Sequence, residues 1–416
     1  LRLGQDRAAS LQAPTDPNTI LTSIYLAKYT YQGLNLDIDW ATQIDRRSGS
    51  LAGVACGENN IPIIAGSFSR SLTFNPGGST EYILYTNNFD NYNAFIASFN
   101  KSSGALIWAK QQGGGSADLV RDISVAPDNS IIISGIFSVN TIFGDGETSR
   151  TLLASFGEFD NFAAKFDSAG NFLWVKQSGS QENETSDAHI DSFNDGRLMM
   201  AGIYGGNGLY ASLAFGVSPR MHGVDSNNSN LFVAAYNPNG SFVDASHARG
   251  YGNSVMKGIT ALSDGSTVAV GNYNKMVSFP TIANERGEVI QTNAAQGIFL
   301  SKYSSELGFQ WAKNLISAQG DLAFNEATGV AAFQDGSVAV VGNFMGGGVF
   351  GIDEPNQTEM NAIGGWQNMF LAKYNSSGNL IWVKNAGGET GWIEATAVST
   401  LPDGSSVVTG EFIGET

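Results

Sequence analysis

The chain has 416 residues, with 38 Asp and Glu against 22 Lys and Arg and a formal net charge of −16. That balance disfavours nucleic acid and anionic membrane surfaces, whose phosphates need basic patches. A single cysteine, Cys56, excludes an internal disulfide framework and a thiolate metal cluster, and no run of about 18 apolar residues offers a membrane span.

Gly at 51 of 416 residues and 42% hydrophobic content suit many short strands joined by tight turns around a filled core. The sequence starts at Leu1 without Met or a signal peptide, as a processed or excerpted chain would. Leu1-Arg-Leu-Gly4 resembles the outer end of a later strand, Thr141-Ile-Phe-Gly144. From Tyr25 to Trp40 runs the first, loose copy of a phrase that the chain repeats. Further copies run from Phe95 to Lys110, Asp160 to Lys176, Phe299 to Lys313 and Asn368 to Lys384, with a damaged one from Phe232 to Asp244.

The aromatic that closes the first half of the phrase falls at Tyr29, Phe99, Phe166, Tyr236, Tyr303 and Tyr374. A second marker, Gly-x-aromatic, recurs from Gly66/Phe68 to Gly410/Phe412. Two markers with one period over six copies define a repeat. Each period reads as four strands, with Asp-Gly and Ser-Gly turn signals between one and two and between three and four. No segment keeps a 3.6-residue apolar period, so essentially no helix is expected.

Four strands per period predict an all-β, six-bladed β-propeller of four-stranded antiparallel blades forming one domain. The blades run over about 50–111, 118–177, 187–248, 256–314 and 326–385, with a sixth made of 394–412 and 20–44. The chain begins with strands three and four and ends with strands one and two. Pairing these ends closes the ring; the alternative is a piece of a longer array.

The phrases Phe-x-Ala-Lys-Tyr/Phe, Gly-x-x-x-Trp-x-Lys, Asp-Gly-Ser and Val-x-Gly-x-Phe resemble bacterial SBBP-type β-propeller repeats, over nearly the whole chain. That resemblance implies a secreted or surface protein of a Bacteroidetes-like bacterium. It implies blades and no particular activity.

Residues present in most blades are expected to pack. Trp40, Trp108, Trp174, Trp311 and Trp382 read as wedges between neighbouring blades. The recurrent Lys before each strand-three aromatic reads as a stem along an aromatic with its head on a turn carboxylate. Cys56 aligns with Ala126, Phe193, Leu262, Phe333 and Leu401, and is expected to be a buried small hydrophobe. Asp244 stands where the third full blade should carry its Trp, which predicts a looser blade.

The two-to-three and four-to-one connections are long and variable, and alternate connections of a meander share one face. That face is where binding residues are expected. Trp366 and Trp392 break the repeat there and are the candidate contacts for a protein or glycan. Arg46, Arg47 and His222 are basic exceptions in the same loops, with solvated loop charges as the simpler account. Asp and Asn in these loops offer oxygen ligands to calcium, but without an EF-hand pattern, and no cofactor is expected.

Catalysis has little to stand on. His189, His222 and His247 lack metal-ligand spacing, and no nucleophile elbow is present with partners. The sequence therefore points to a non-enzymatic extracellular or cell-surface binding or scaffold module. The alternatives are a subunit of a larger surface assembly and a carbohydrate-active or quinone-dependent propeller enzyme.

Overall fold

The computed structural model describes residues 2–3, 9–10, 22–32, 35–86, 91–114, 117–179, 188–204, 212–214, 220–222, 229–281, 284–292 and 295–415. Among these the only helical segments are two three-residue 3-10 turns, Glu58–Asn60 and Ile363–Gly365. The chain divides into two compact units: Leu1–Ser155 with Phe162–Lys176, and Phe156–Asn161 with Gln177–Thr416.

Five blades have the order one-two-three-four, each strand antiparallel to the next in the ladders that are described. Blade 4 is representative: Ser254–Ala261, Thr267–Tyr273, Gly297–Tyr303 and Phe309–Asn314. The one-to-two turns hold because Gly265, Gly336 and Gly404 take φ of 80°, 79° and 84°, which L side chains resist. The preceding Asp accepts the N–H two residues on, as Asp335 does from Ser337 at 2.9 Å. The lysine of strand three completes the corner: Lys165, Lys302 and Lys373 reach Asp128, Asp264 and Asp335 at 3.0, 3.5 and 3.7 Å.

Strand two is the core of each of these blades. Its glycine faces the strand-three aromatic, as in Gly271↔Phe299 and Gly342↔Phe370. A Cβ on Gly271 would lie 2.6 Å from the Phe299 ring. Gly is required because the ring occupies the side-chain space. The residue after that glycine joins neighbouring blades. Asn343 accepts the Ala395 N–H at 2.8 Å, Asn272 accepts that of Ala327 at 2.8 Å, and Ser67 Oγ accepts that of Val120 at 2.8 Å.

The strand-four tryptophans pack across blades. Trp40 lies against Gly104 and donates to the Lys101 carbonyl at 2.9 Å, Trp108 lies against Gly170, and Trp311 against Gly378. The glycine in each three-to-four turn leaves room for the indole. Blade 3 has Asp244 in place of Trp, but it is not loosened there. In the facing turn of blade 4, Leu307 replaces the glycine, at φ 58° and 2% exposed. Ser246 Oγ donates to its carbonyl at 2.5 Å. A side chain from one blade fills what the indole fills elsewhere.

The two-to-three connections differ most from expectation. In four blades they are a second hairpin rather than a loop on the face. Two residues after the Gly-x-aromatic the chain turns left-handed, at Arg70, Val139, Lys275 and Gly346. Four residues further on, Phe74, Phe143, Phe279 and Phe350 insert into the blade, each at most 1% exposed. Rings of these hairpins stack on the start of strand four, Phe143 on Phe172 and Phe279 on Phe309, with centroids 6.0 and 5.2 Å apart. At the tips, Glu147 and Glu354 accept the N–H of Phe172 and Leu380 at 2.8 and 2.5 Å. These contacts draw the connection along the blade to its three-to-four end.

The same hairpins stitch blades together. Arg249–Tyr251, at the end of blade 3, pairs with Met276–Ser278 of blade 4. Ile316–Gln319 pairs likewise with Gly347–Phe350. The outer strand's trailing edge is thereby covered, which an exposed sheet edge needs.

Cys56 is exposed rather than buried. Ala126, Phe193, Leu262 and Phe333, at the same place in later blades, are at most 6% exposed. Leu401, at the same place in the C-terminal hairpin, is 44% exposed, as Cys56 is exposed.

Candidate functional site

Among the described residues of blades 1, 2, 4 and 5, with the long hairpins committed to packing, the connections that remain on the loop face are the entry to strand three and the four-to-one segments. In blade 5 these carry Trp366 and Trp392. Trp366 ends the turn Ile363–Gly365 and is 51% exposed. The turn is clamped by the fully buried Asn368. Its Oδ1 accepts the Ile363 N–H at 2.7 Å, and its Nδ2 donates to the Trp366 and Ile363 carbonyls at 3.2 and 3.3 Å. Gly364 adopts φ 68°, and a Cβ there would meet the Glu389 carbonyl at 2.6 Å, so this turn lies directly on the four-to-one segment.

Trp392 sits half-buried in the strand Thr390–Thr400. The Ile393 N–H donates to the Gln367 carbonyl at 3.0 Å. One backbone hydrogen bond thus joins the residues next to the two tryptophans. Ile363, 39% exposed, adds an apolar edge to the same turn. The turn that carries Trp366 is thus held by side-chain and backbone hydrogen bonds.

The other candidates are placed differently. Arg46 lies in a strand of the first unit, opposite Leu72, rather than on a solvated loop. Its guanidinium is half-buried, its Nε and Nη1 are out of water with no hydrogen-bond partner, and burial lowers its pKa. The β-ladders on both sides of Ile44–Arg46 draw it in. The side chains of Arg47 and His222 lie outside the described residues; the backbone of His222 pairs with Ser212. Among the described residues no three His, Cys, Asp or Glu side chains gather as a cation would need.

Asn368 is a functional position that its place inside the repeated phrase conceals, although its signal is in the sequence. Asn93, Asp160 and Asn230 stand two residues before the same strand-three aromatic, and all are buried. The buried polar position recurs in these blades, and at Asn368 it holds the turn that presents the non-repeated Trp366.

Asp118 opens strand one of blade 2, fully buried, with Oδ1 unpartnered and Oδ2 accepting the Gly114 N–H at 3.2 Å. Burial pushes its pKa up to about 7, against the lesser pull of the Thr141 hydroxyl and that N–H. The folded chain therefore holds the proton more tightly than the unfolded one. The contribution of Asp118 to stability is greatest below the unfolded carboxylate's pKa near 4 and is lost as pH rises towards 7. Asp118→Asn should remove that slope, raising Tm at pH 8 and changing it little at pH 4, by on the order of 3–4 kcal/mol at most. Thermal melts across that range check it; parallel curves for the two proteins would count against a buried acid.

No family model matches the chain. An uncharacterized WD repeat-containing protein, L264, of Acanthamoeba polyphaga mimivirus is 32% identical over 105 residues, 24% of this chain. The match spans about 7% of that relative's length. Among solved structures, BamB from Moraxella catarrhalis aligns with 94% of this chain and 99% of its own, at 12% identity and a TM-score of 0.38. The quinohemoprotein alcohol dehydrogenase ADHIIG from Pseudomonas putida HK5 aligns with 89% of this chain and 59% of its own, at 9% identity and a TM-score of 0.37. By its own period, sheet order and blade-to-blade packing, the chain is a β-propeller repeat protein.

Proposed function

We propose that the chain is a non-enzymatic binding or scaffold module of the extracellular space or cell surface, built as a closed ring of six blades. It engages a protein or glycan through the platform of Trp366 and Trp392. The observation that carries this reading is Trp366, half exposed on a turn locked by three hydrogen bonds to a buried asparagine. The recurrent tryptophans whose packing is described are used between blades; this one faces solvent. A large aromatic held rigidly in water is what sugar rings and protein hot spots bind. The sixth blade has its strands one and two at Thr390–Thr400 and Ser406–Glu415, and its strands three and four at Thr22–Gln32 and the start of Asn35–Cys56.

The test uses a glycan array together with photo-crosslinking from position 366 to native surface proteins. Trp366→Ala should weaken the contact found by about tenfold or more, with Trp392→Ala weaker in effect, while the melting curve stays in place. Binding that survives both substitutions sinks the platform.

A further inference from the structure

Three consecutive one-to-two turns of the second unit line a cavity of about 170 Å³. In blades 3, 4 and 5 the turns are Phe193–Arg197, Leu262–Ser266 and Phe333–Ser337. Each is closed by the same backbone hydrogen bond, at 2.9, 2.8 and 2.8 Å. The strand ends beside them are tied from blade to blade. Asp191 accepts the Ala261 N–H at 2.9 Å, and Thr400 Oγ1 donates to the Ala332 carbonyl. Ala261 and Ala332, which line the cavity, stand where blade 2 carries the larger Val125. The space holds on the order of ten waters, or one sugar ring in their place.

The lining is uncharged. Buried Leu262 and Phe333 supply apolar surface, and exposed Asn194, Ser263 and Gln334 supply amide and hydroxyl groups. None of these three makes a side-chain hydrogen bond to another described residue. They occupy one place in the repeat, immediately before the turn acid. Blade 1 has Gly57 there, blade 2 has Pro127 and the C-terminal hairpin has Pro402, none with a polar side chain. The carboxylates next along the chain, Asp195, Asp264 and Asp335, are engaged by Arg197, Lys302 and Lys373 at 2.8, 3.5 and 3.7 Å. A cation would have to compete with those bases, and an anion would meet acids beside a lining that holds no base.

We propose that this cavity binds one uncharged sugar unit. A pyranose offers C–H faces to Leu262 and Phe333, and hydroxyls to Asn194, Ser263 and Gln334. A mixed lining with a few convergent polar groups is the chemistry of small-ligand sites. The site is separate from the Trp366 turn. In blade 5 the cavity lies at the Val338 end of strand two, and Asn368 pairs with Phe344 at the other end, roughly 20 Å away.

The test titrates the isotope-labelled full chain with methyl glycosides of glucose, galactose, mannose and N-acetylglucosamine, read by NMR. The side-chain amide signals of Asn194 and Gln334 are assigned by their loss in Asn194→Ala and Gln334→Ala. Both should shift saturably with at least one glycoside. Ser263→Ala should weaken that titration about three- to tenfold without moving Tm. Glucuronate and glucosamine, the charged analogues, should bind severalfold more weakly. Amides that stay still with all four glycosides overturn the site, and a charged analogue that binds equally overturns the ligand class. Shifting amides beside an unmoved Trp366 indole signal support the cavity even if the tryptophan platform fails. A shift of the Trp366 indole alone overturns the cavity, so the two failures are distinguishable.

Discussion

Leu307→Gly should destabilise the chain by about 2–3 kcal/mol, a drop in unfolding midpoint that urea titration resolves readily. The side chain is 2% exposed and fills the place an indole takes at other blade junctions. Removing a buried leucine costs about 3–5 kcal/mol when the cavity does not collapse. Roughly 1–2 kcal/mol returns, because Leu307 sits at φ 58° and glycine relieves that strain. Cavity loss therefore wins over relief. Asp244→Trp in the same background should recover most of the loss by rebuilding the pair seen as Trp311 against Gly378. Asp244→Trp alone should destabilise, since Leu307 already occupies the space. A double-mutant cycle with no coupling between the sites would mean that Leu307 and the indole do not share one cavity.

Blade 3 illustrates what could be read from the sequence and what could not. The loss of Trp at 244 is visible in the repeat, and so is Leu307 where Gly104, Gly170 and Gly378 stand. The two belong to different blades, nearly a full period apart, and only the packing shows that they compensate. The same holds for the two-to-three hairpins. Their buried aromatics, Phe74, Phe143, Phe279 and Phe350, recur at one offset, so the signal was present. Variation in loop length hides it, because a connection of variable length reads as a loop on the face. The four-strand period, the turn signals and the tryptophan wedges were legible because the repeat states each several times.

The site was legible in part. Trp366 and Trp392 stand out because they interrupt the repeat, and the Gln367–Ile393 hydrogen bond brings their segments together. The recurrent polar residue at 368 is legible, but that it clamps the Trp366 turn is not, because its partners there are backbone atoms. Arg46 was misplaced for a related reason. The strand around it runs on without a turn from the N-terminal hairpin into blade 1, and burial follows from pairing on both sides.

The second large effect concerns the ends of the chain. Strand Ser406–Glu415 is bonded on one side to Thr390–Thr400. In a closed six-bladed ring its other side is bonded too. Alternate amides of this strand should then exchange at least 10³-fold more slowly than an exposed edge allows, because exchange waits for opening of a packed sheet. The matching amides of Val338–Phe344, paired on both sides in blade 5, are the internal standard. Phe412, 65% exposed on the half-blade where Phe344 of blade 5 is 0% exposed, would be covered in the same step. That burial is worth about 1.5–3 kcal/mol.

Residue-resolved hydrogen exchange across 406–415 is the measurement that decides. Protection on both edges, approaching that of 338–344, is the result that a ring of six blades predicts. Protection confined to the amides facing 390–400, with the outward set exchanging at loop rates, would contradict it.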